Sequence, residues 1–299
     1  MLYFLPPLLK GLLSLLLYTF NTIFLTVPLI LASLLKFLIP AHGFVVLIDR
    51  FLIGIATVWI NINKFNTRLF CRIDWDIRGL DQLKEKEWYL VLSNHQSWVD
   101  ILALQAALNR KIPMLKFFLK KELIWVPFLG LAWWALDFPF MKRYTRKEIE
   151  ANPKLKGKDL EATRKACEKF KHTPVSVINF VEGTRFTPEK KQHQNSPYAH
   201  LLNPKAGGIA FVLGSMGEYL HQIINVTLVY PEGTPTFWQF ISGAVHKIVI
   251  DFEVLPITDE IKGDFFNDPQ FKTGFYSWLN ELWTAKDEKI AQIKSQSRH

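Results

Sequence analysis

A stretch of 25 residues without a charged side chain, from Gly11 to Leu35, places the strongest constraint on how this chain folds. A helix of that length reaches roughly 37 Å, against about 30 Å for the hydrocarbon core of a bilayer. The stretch exceeds the roughly 7–15 apolar residues of a signal-peptide core, and no small-residue cleavage site follows it. We therefore predict a retained membrane segment rather than a cleaved leader.

A second apolar stretch runs from Phe44 to Ile62 and is interrupted by Asp49 and Arg50. It fits the second helix of a hairpin with the charged pair near one interface, and it equally fits a helix lying on the membrane surface. Whether the two segments span the bilayer or dip into one leaflet stays open at this point. We predict that residues 1–65 form the membrane anchor.

The net charge of +9 is typical of proteins that bind nucleic acid or an anionic membrane. Beside an apolar N-terminus the membrane needs fewer assumptions, and no zinc finger or RNA-binding signature accompanies the basic groups between Lys116 and Lys158. We therefore predict no nucleic-acid partner. The two cysteines, Cys71 and Cys167, form no CxxC motif, which favours a globular part with reduced thiols in the cytosol.

After about residue 70 the sequence alternates strand-length apolar runs with amphipathic helical patterns. The runs predicted as strands are 88–93, 173–181, 223–230 and 246–254, and the predicted helices are 99–110, 159–172, 207–216 and 269–285. This order predicts an α/β fold with a mostly parallel sheet flanked by helices, preceded by the apolar hairpin. We assign residues 66–285 to this domain and residues 286–299 to a charged, frayed tail.

Two polar clusters follow strands of this predicted sheet, "SNHQSWVD" (93–100) and "EGTR" (182–185). In such sheets, binding sites form at the loops beyond the carboxyl ends of the strands. The two clusters are therefore expected to share one edge of the sheet and to form one site.

His95 and Asp100 in the first cluster fit a general base and the carboxylate that orients it. In a regular helix they would point about 140° apart, but a helix that starts near Ser97 would bring them together. The alternatives are a histidine satisfied at a strand end and an aspartate that caps a helix. Among the other histidines, His172, His193 and His200 lack metal-ligand spacing with His95, so we predict no metal.

A serine nucleophile usually lies in a G-x-S-x-G turn, and "LGSMG" (213–217) lacks that spacing. The base would then act directly on a hydroxyl of a bound substrate. In the second cluster, Gly183 permits close backbone approach, Thr184 supplies a hydroxyl, and Arg185 supplies a fork suited to phosphate oxygens. Glu182 is expected to orient the arginine or contact a substrate hydroxyl; the alternative is a tight turn with a surface Glu–Arg pair.

Taken together, "NHQSWVD" and the later "FVEGTRF" resemble the 1-acylglycerol-3-phosphate acyltransferase family of membrane-bound lysophospholipid acyltransferases. Between them, "KKELIWVPFLGLAWWALDFPFMKR" (120–143) is similar to that family's intermediate block. The match covers roughly residues 85–235, and "LLNPKAGGIAFVL" (201–213) is like a subgroup that includes lysocardiolipin-type enzymes. The family's last block usually has Ile-Pro-Val where this chain has Ile224-Asn225-Val226.

The resemblance implies acyl transfer from acyl-CoA or acyl-carrier protein to the free hydroxyl of a lysophospholipid, with 1-acylglycerol-3-phosphate giving phosphatidic acid. No further cofactor is implied. His95 would be the base and Asp100 its partner. The acceptor's phosphate and glycerol would be held by the residues that match the family's binding blocks, namely Glu182, Gly183, Thr184, Arg185, Arg143 and Lys120.

The resemblance also implies an anchor in a bacterial inner membrane or an endomembrane, with the catalytic domain facing the cytoplasm. Three rival functions remain: acylation of glycerol-3-phosphate or another lysolipid, a catalytically silent lipid-binding scaffold, and a hydrolase in which His95 activates water. The aromatic run between Trp125 and Phe140 fits a lining of the acyl groove, an interfacial surface or a core.

Overall fold

The computed structural model describes residues 1–141, 151–152 and 174–297. The helices are α1 (Pro7–Leu38), α2 (His42–Phe70), α3 (Val99–Leu108), α4 (Leu129–Ala135), α5 (Pro188–His193), α6 (Ala206–Met216), α7 (Phe237–Ile241) and α8 (Pro269–Gln296). The strands are β1 (Asp74–Arg78), β2 (Tyr89–Ser93), β3 (Leu115–Phe117), β4 (Leu119–Lys120), β5 (Phe140–Met141), β6 (Ser176–Phe180), β7 (Gln222–Val229) and β8 (Lys247–Pro256). Arg143, Cys167, His172 and the predicted helix 159–172 lie outside these ranges.

The first two helices form the predicted apolar hairpin, and both are long and apolar enough to cross a bilayer. The half of their buried seam near Pro7 and Phe70 is polar, whereas Leu29 and Leu52 belong to an apolar cluster in the other half. In the polar half, Asn21 donates to Asn63 Oδ1 at 2.8 Å, and the hydroxyls of Tyr18 and Thr67 are 2.8 Å apart. Leucine, isoleucine, valine and phenylalanine side chains lie on the outside instead. A helix pair in water buries its apolar faces, so this reversed arrangement is typical of helices packed in lipid.

Strand order within the described ranges is β1-β8-β7-β2-β6-β3, with β4 and β5 forming a separate pair. All neighbours in the large sheet pair in parallel except β7 and β8, which are antiparallel. The predicted mostly parallel α/β sheet is therefore confirmed. Because β1 and β8 run against the other four strands, the carboxyl ends of β2, β3, β6 and β7 share one edge.

Alternating side chains of β2 supply two separate cores on the two faces of the sheet. Leu90 and Leu92 pack under α6 and α8, whereas Tyr89 and Val91 pack under α3 and α7. All five residues of β2 are buried. A strand covered on both faces cannot shift its register without exposing one core, so the loop that follows it starts from a fixed point.

The prediction of a frayed tail from residue 286 onward is wrong, because α8 continues to Gln296. Lys286, Ile290 and Ile293 recur at helical spacing and are buried, with 1%, 0% and 3% of their surface exposed. The Lys286 ammonium donates to the carbonyl of Val226 and lies 3.5 Å from the Thr227 hydroxyl. The other boundary also shifts, since α2 ends at Phe70 rather than residue 65.

Burial lowers the pKa of Lys286 to about 7, against about 10.4 in an unfolded chain. Between these values the unfolded protein binds a proton that the folded protein lacks, so stability rises with pH. We expect Lys286→Met to raise the unfolding midpoint at about pH 7, with the gain shrinking toward about pH 10. Thermal unfolding in detergent at both pH values tests this, and an equal gain at both would contradict it.

Candidate active site

The loop between β2 and α3 brings His95 and Asp100 together. His95 Nδ1 lies 2.8 Å from Asp100 Oδ2, because the helix begins only at Val99 and His95 remains in the preceding turn. The predicted pairing is thus confirmed in geometry. A carboxylate at this distance favours the tautomer with hydrogen on Nδ1, which leaves Nε2 free to accept a proton.

Asp100 is fully buried, and its two oxygens collect further donors. Oδ2 also accepts from the backbone N–H groups of Gln96 and Ser97, at 2.6 and 2.9 Å. Oδ1 accepts from the hydroxyl of Tyr230 at 2.7 Å. Both oxygens are therefore occupied, and the carboxylate is fixed in one orientation toward the imidazole.

Tyr230 belongs to the candidate site although nothing in the sequence predicted it there. It follows the end of β7, is 2% exposed, and reaches Asp100 from the side opposite His95. Burial, together with the charge of Asp100 and the hydrogen bond to it, raises the pKa of Tyr230 well above its usual value. The phenol therefore stays protonated and acts as a donor at neutral pH.

The imidazole of His95 is also held on its face. The ring of Phe180 stacks on it with centroids 4.0 Å apart, and Phe117 and Phe138 continue the row at 6.2 and 6.1 Å. Only 14% of the His95 side chain is exposed. The ring is thus positioned by a carboxylate at its edge and by an aromatic stack on its face.

The structure corrects the role expected for Glu182, which is fully buried and turned away from Arg185. Its two oxygens accept from the backbone N–H groups of His95 and Leu202, at 2.8 and 2.9 Å. Burial raises the pKa of Glu182 to about 7, against the opposing effect of those two donors. Glu182 therefore ties the His95 loop to the chain after β6 rather than contacting a ligand.

The rest of the EGTR turn faces outward and is surrounded by cations. Gly183 has φ +67, and a Cβ there would lie 3.0 Å from Lys205 Cδ. Lys190 donates to the Thr184 hydroxyl at 2.8 Å. Arg185 is exposed, lies 4.8 Å over the ring of Trp98, and has no hydrogen-bond partner for its guanidinium among the described residues. Lys190 belongs to no recognisable motif, and Lys205 lies in the LLNPKAGGIAFVL block, which gave it no role by itself.

One backbone hydrogen bond joins the two predicted clusters: the N–H of Phe186, next to Arg185, donates to the carbonyl of His95 at 2.7 Å. An open pocket of about 640 Å³ adjoins this junction. Its wall is completed by the loop after β7, to which Ser97 donates at Pro235 O, 2.6 Å away. The predicted convergence of the two loops on one edge is therefore confirmed.

The remaining predicted residues are less closely placed. Lys120 is exposed on β4, just beyond the carboxyl end of β3, and no contact joins it to the EGTR turn within the described ranges. Arg143 lies outside those ranges. Asn225 is buried inside β7 and donates to Glu253 of β8 at 2.9 Å, so it serves the sheet rather than the site. The described residues contain no group of three or more His, Cys, Asp or Glu able to hold a metal ion.

The profile of the Acyltransferase family matches residues 74–276, a span that contains both clusters. The chain belongs to the acyltransferase family. The matched span contains the paired His95 and Asp100 and the basic turn on one edge of the sheet.

Several curated relatives of the acyltransferase family are similar over most of this chain. 1-acyl-sn-glycerol-3-phosphate acyltransferase 3 of Arabidopsis thaliana is 27% identical over 223 residues, covering 70% of this chain and 54% of the relative. Lysocardiolipin acyltransferase 1 of Gallus gallus is 23% identical over 216 residues, covering 68% of this chain and 53% of the relative. The chain therefore spans little more than half the length of these relatives.

A solved structure shares the fold. The 1-acyl-sn-glycerophosphate acyltransferase PlsC from Thermotoga maritima aligns with a TM-score of 0.51, covering 95% of both chains at 18% identity. At that identity the likeness concerns the fold alone, and it includes the two apolar N-terminal helices within the aligned length.

Replacing Tyr230 by phenylalanine tests the buried network around Asp100. Loss of the donor leaves Asp100 Oδ1 unpaired and makes the carboxylate a stronger acceptor for the imidazolium, so the acid-side midpoint of the pH–rate profile should rise. Turnover on its plateau should fall about tenfold. Acyl-transfer rates measured across pH would show this.

Tyr89→Phe is the matched control, because it removes a buried phenol that accepts from the Lys84 N–H at the opposite edge of the sheet. It should leave the pH midpoint unchanged. An identical profile for both variants would mean that Tyr230 contributes only to packing.

Proposed function

We propose that this protein transfers an acyl chain from a thioester, acyl-CoA or acyl-carrier protein, to the free hydroxyl of 1-acylglycerol-3-phosphate, giving phosphatidic acid. The observation that carries the proposal is the junction of the His95–Asp100 pair with the Arg185 turn on one edge of the sheet. The named activity of the Arabidopsis relative supports the choice of acceptor.

In the proposed reaction, His95 Nε2 removes the proton from the acceptor hydroxyl while the hydroxyl oxygen attacks the thioester carbonyl. Asp100 stabilises the imidazolium that forms. The tetrahedral intermediate then collapses, the carbon–sulfur bond breaks, and the thiolate takes the proton from the imidazolium. The products are the new ester and a free thiol, and no acyl-enzyme is needed.

The EGTR turn supplies the proposed acceptor site. The guanidinium of Arg185, which has no hydrogen-bond partner among the described residues, can donate to two phosphate oxygens. Lys190 and Lys205 add positive charge beside Thr184 and Gly183. Lys120 and Arg143 remain candidates from the family resemblance.

The oxyanion of the intermediate needs donors from another part of the site. The backbone N–H groups of His95, Gln96 and Ser97 already donate to Glu182 and Asp100. They therefore hold the base rather than stabilise the intermediate.

We also propose that the hairpin embeds the protein in one leaflet. Near its start α1 packs against Trp238, at Gly11, and about 27 Å further along its axis Leu29 and Ala32 pack against the α4 region. A helix that contacts the catalytic domain at two such distant points lies along the domain rather than projecting through the bilayer. Because the thioester donor is made in the cytosol, we propose a cytoplasm-facing site.

A second candidate acceptor is a lysophospholipid with a larger headgroup. The open pocket beside Arg185 leaves space beyond the phosphate position, and one relative is a lysocardiolipin acyltransferase. One labelled acyl-CoA offered with lysophosphatidic acid, lysophosphatidylglycerol, glycerol-3-phosphate or no acceptor separates the options. Fatty acid released equally without acceptor would indicate a hydrolase, and no turnover at all would indicate a silent scaffold.

His95→Ala should lower turnover by about 10²–10⁴ because the base is lost, while membrane association stays unchanged. Labelled acyl transfer and vesicle sedimentation measure the two properties. His221→Ala is the control, since His221 is exposed at the opposite edge of the sheet. Near-normal turnover of the His95 variant would show that the base is assigned wrongly.

Arg185→Ala should raise the KM for lysophosphatidic acid about tenfold or more, with a smaller effect on kcat, because a bidentate phosphate contact is lost. Arg185→Lys should recover only part of the affinity, since it keeps the charge and loses the fork. Initial rates at saturating donor test this. A rise confined to the KM of acyl-CoA would assign Arg185 to the donor instead.

A further inference from the structure

The segment from Leu123 to Leu136 contains no charged residue and separates into two faces. The outward set, which we call the aromatic lip, consists of Trp125, Phe128, Leu131 and Trp134, with 84%, 42%, 46% and 46% of their surface exposed. The inward face buries Ala135 and, just beyond the segment, Phe138. Large apolar side chains grouped in this way on a surface mark a contact site rather than scattered exposure.

The lip continues the apolar surface of the hairpin. Ala132, Ala135 and Leu136, on the inner side of the lip segment, pack against Leu29 and Ala32 of α1. The outer side of the same part of α1 exposes further leucines, namely Leu31, Leu34 and Leu35. Lip and hairpin therefore present one continuous apolar face.

Charged groups fix the lip to the hairpin. Lys36 near the end of α1 lies 2.6 Å from both Asp49 of α2 and Asp137, the first charged residue after the lip. A single lysine thus bridges both helices and the lip segment. Whatever depth the hairpin takes in a membrane, the lip follows it.

We propose that the aromatic lip is a third membrane-contact element, inserted into the same leaflet as the hairpin, and that it holds the catalytic edge at the lipid surface. This inference rests on the proposed reaction at a membrane. Tryptophan and leucine suit this position because their apolar bodies enter the interface. The exposed residues just before the lip segment are Lys120, Lys121 and Glu122, with a net positive charge that suits anionic headgroups.

The lip also connects to the site. From Phe138, at its inner end, the aromatic row runs through Phe117 and Phe180 to the face of the His95 imidazole. A lipid surface contacting the lip would therefore lie against the same block of side chains that supports the base. An acceptor could then present its hydroxyl to His95 while its acyl chain stays in the bilayer.

Nitroxide labels measure the depth of the lip independently of activity. In the full chain carrying C71A and C167A, Trp125→Cys is labelled, with Tyr276→Cys on α8 as the matched exposed aromatic. In vesicles of phosphatidylcholine and phosphatidylglycerol, the label at position 125 should gain exposure to oxygen and lose exposure to a water-soluble nickel complex, and the label at 276 should not. Equal water exposure at both positions would overturn the proposal, as would a label shielded from both reagents in a dimer.

Kinetics test the consequence. The rate of the double variant W125S/W134S on lysophosphatidic acid in vesicles should fall about tenfold or more, because two large apolar side chains no longer enter the lipid. On a short-chain, monomeric acceptor its rate should stay within about twofold of wild type. Equal losses on both acceptors would overturn the role of the lip. If the wild-type protein acylated none of the acceptors, the proposed function would be wrong. The depth measurement would still show whether the lip enters the membrane.

Discussion

The shape of the loop that carries His95 depends on two buried carboxyl groups, those of Asp100 and Glu182. Asp100 accepts hydrogen bonds from the N–H groups of Gln96 and Ser97 and pairs with the imidazole of His95. Glu182 accepts from the backbone N–H of His95. Three consecutive amide N–H groups are thus fixed by carboxyl oxygens that have no access to water. Such groups are costly to bury unless fully paired, so the loop has few alternatives to its observed conformation.

The sequence predicted those parts of the fold whose signal is local. Strands β2, β6, β7 and β8 lie in segments rich in apolar residues, and the structure confirms them within a few residues. Strands β1 and β3 are short, and neither stands out from the loops around it. Lys286 was misread because a lysine normally marks a solvated face, whereas here its ammonium is buried beside backbone oxygen.

In the site, too, contacts between residues close in sequence were predictable, and contacts made by the tertiary structure were not. The pairing of His95 with Asp100 was predictable because the two residues are close in sequence, and a helix that starts after His95 brings their side chains together. Glu182 was expected to orient Arg185 or to contact a substrate hydroxyl, since it lies in the same turn as the arginine. Only the tertiary structure shows that it faces two backbone amides. Tyr230 lies 130 residues from Asp100 along the chain, and no spacing rule connects them.

The reversed direction of β1 and β8 has a consequence for how the protein tolerates change. Pro256, at the end of β8, pairs with Gln222 at the beginning of β7, so the chain leaves β8 on the side of the sheet remote from His95. The connections after Arg78 and after Pro256 both emerge there. Lineages could lengthen these two connections, or an engineer could graft a reporter into them, with the reaction edge left undisturbed.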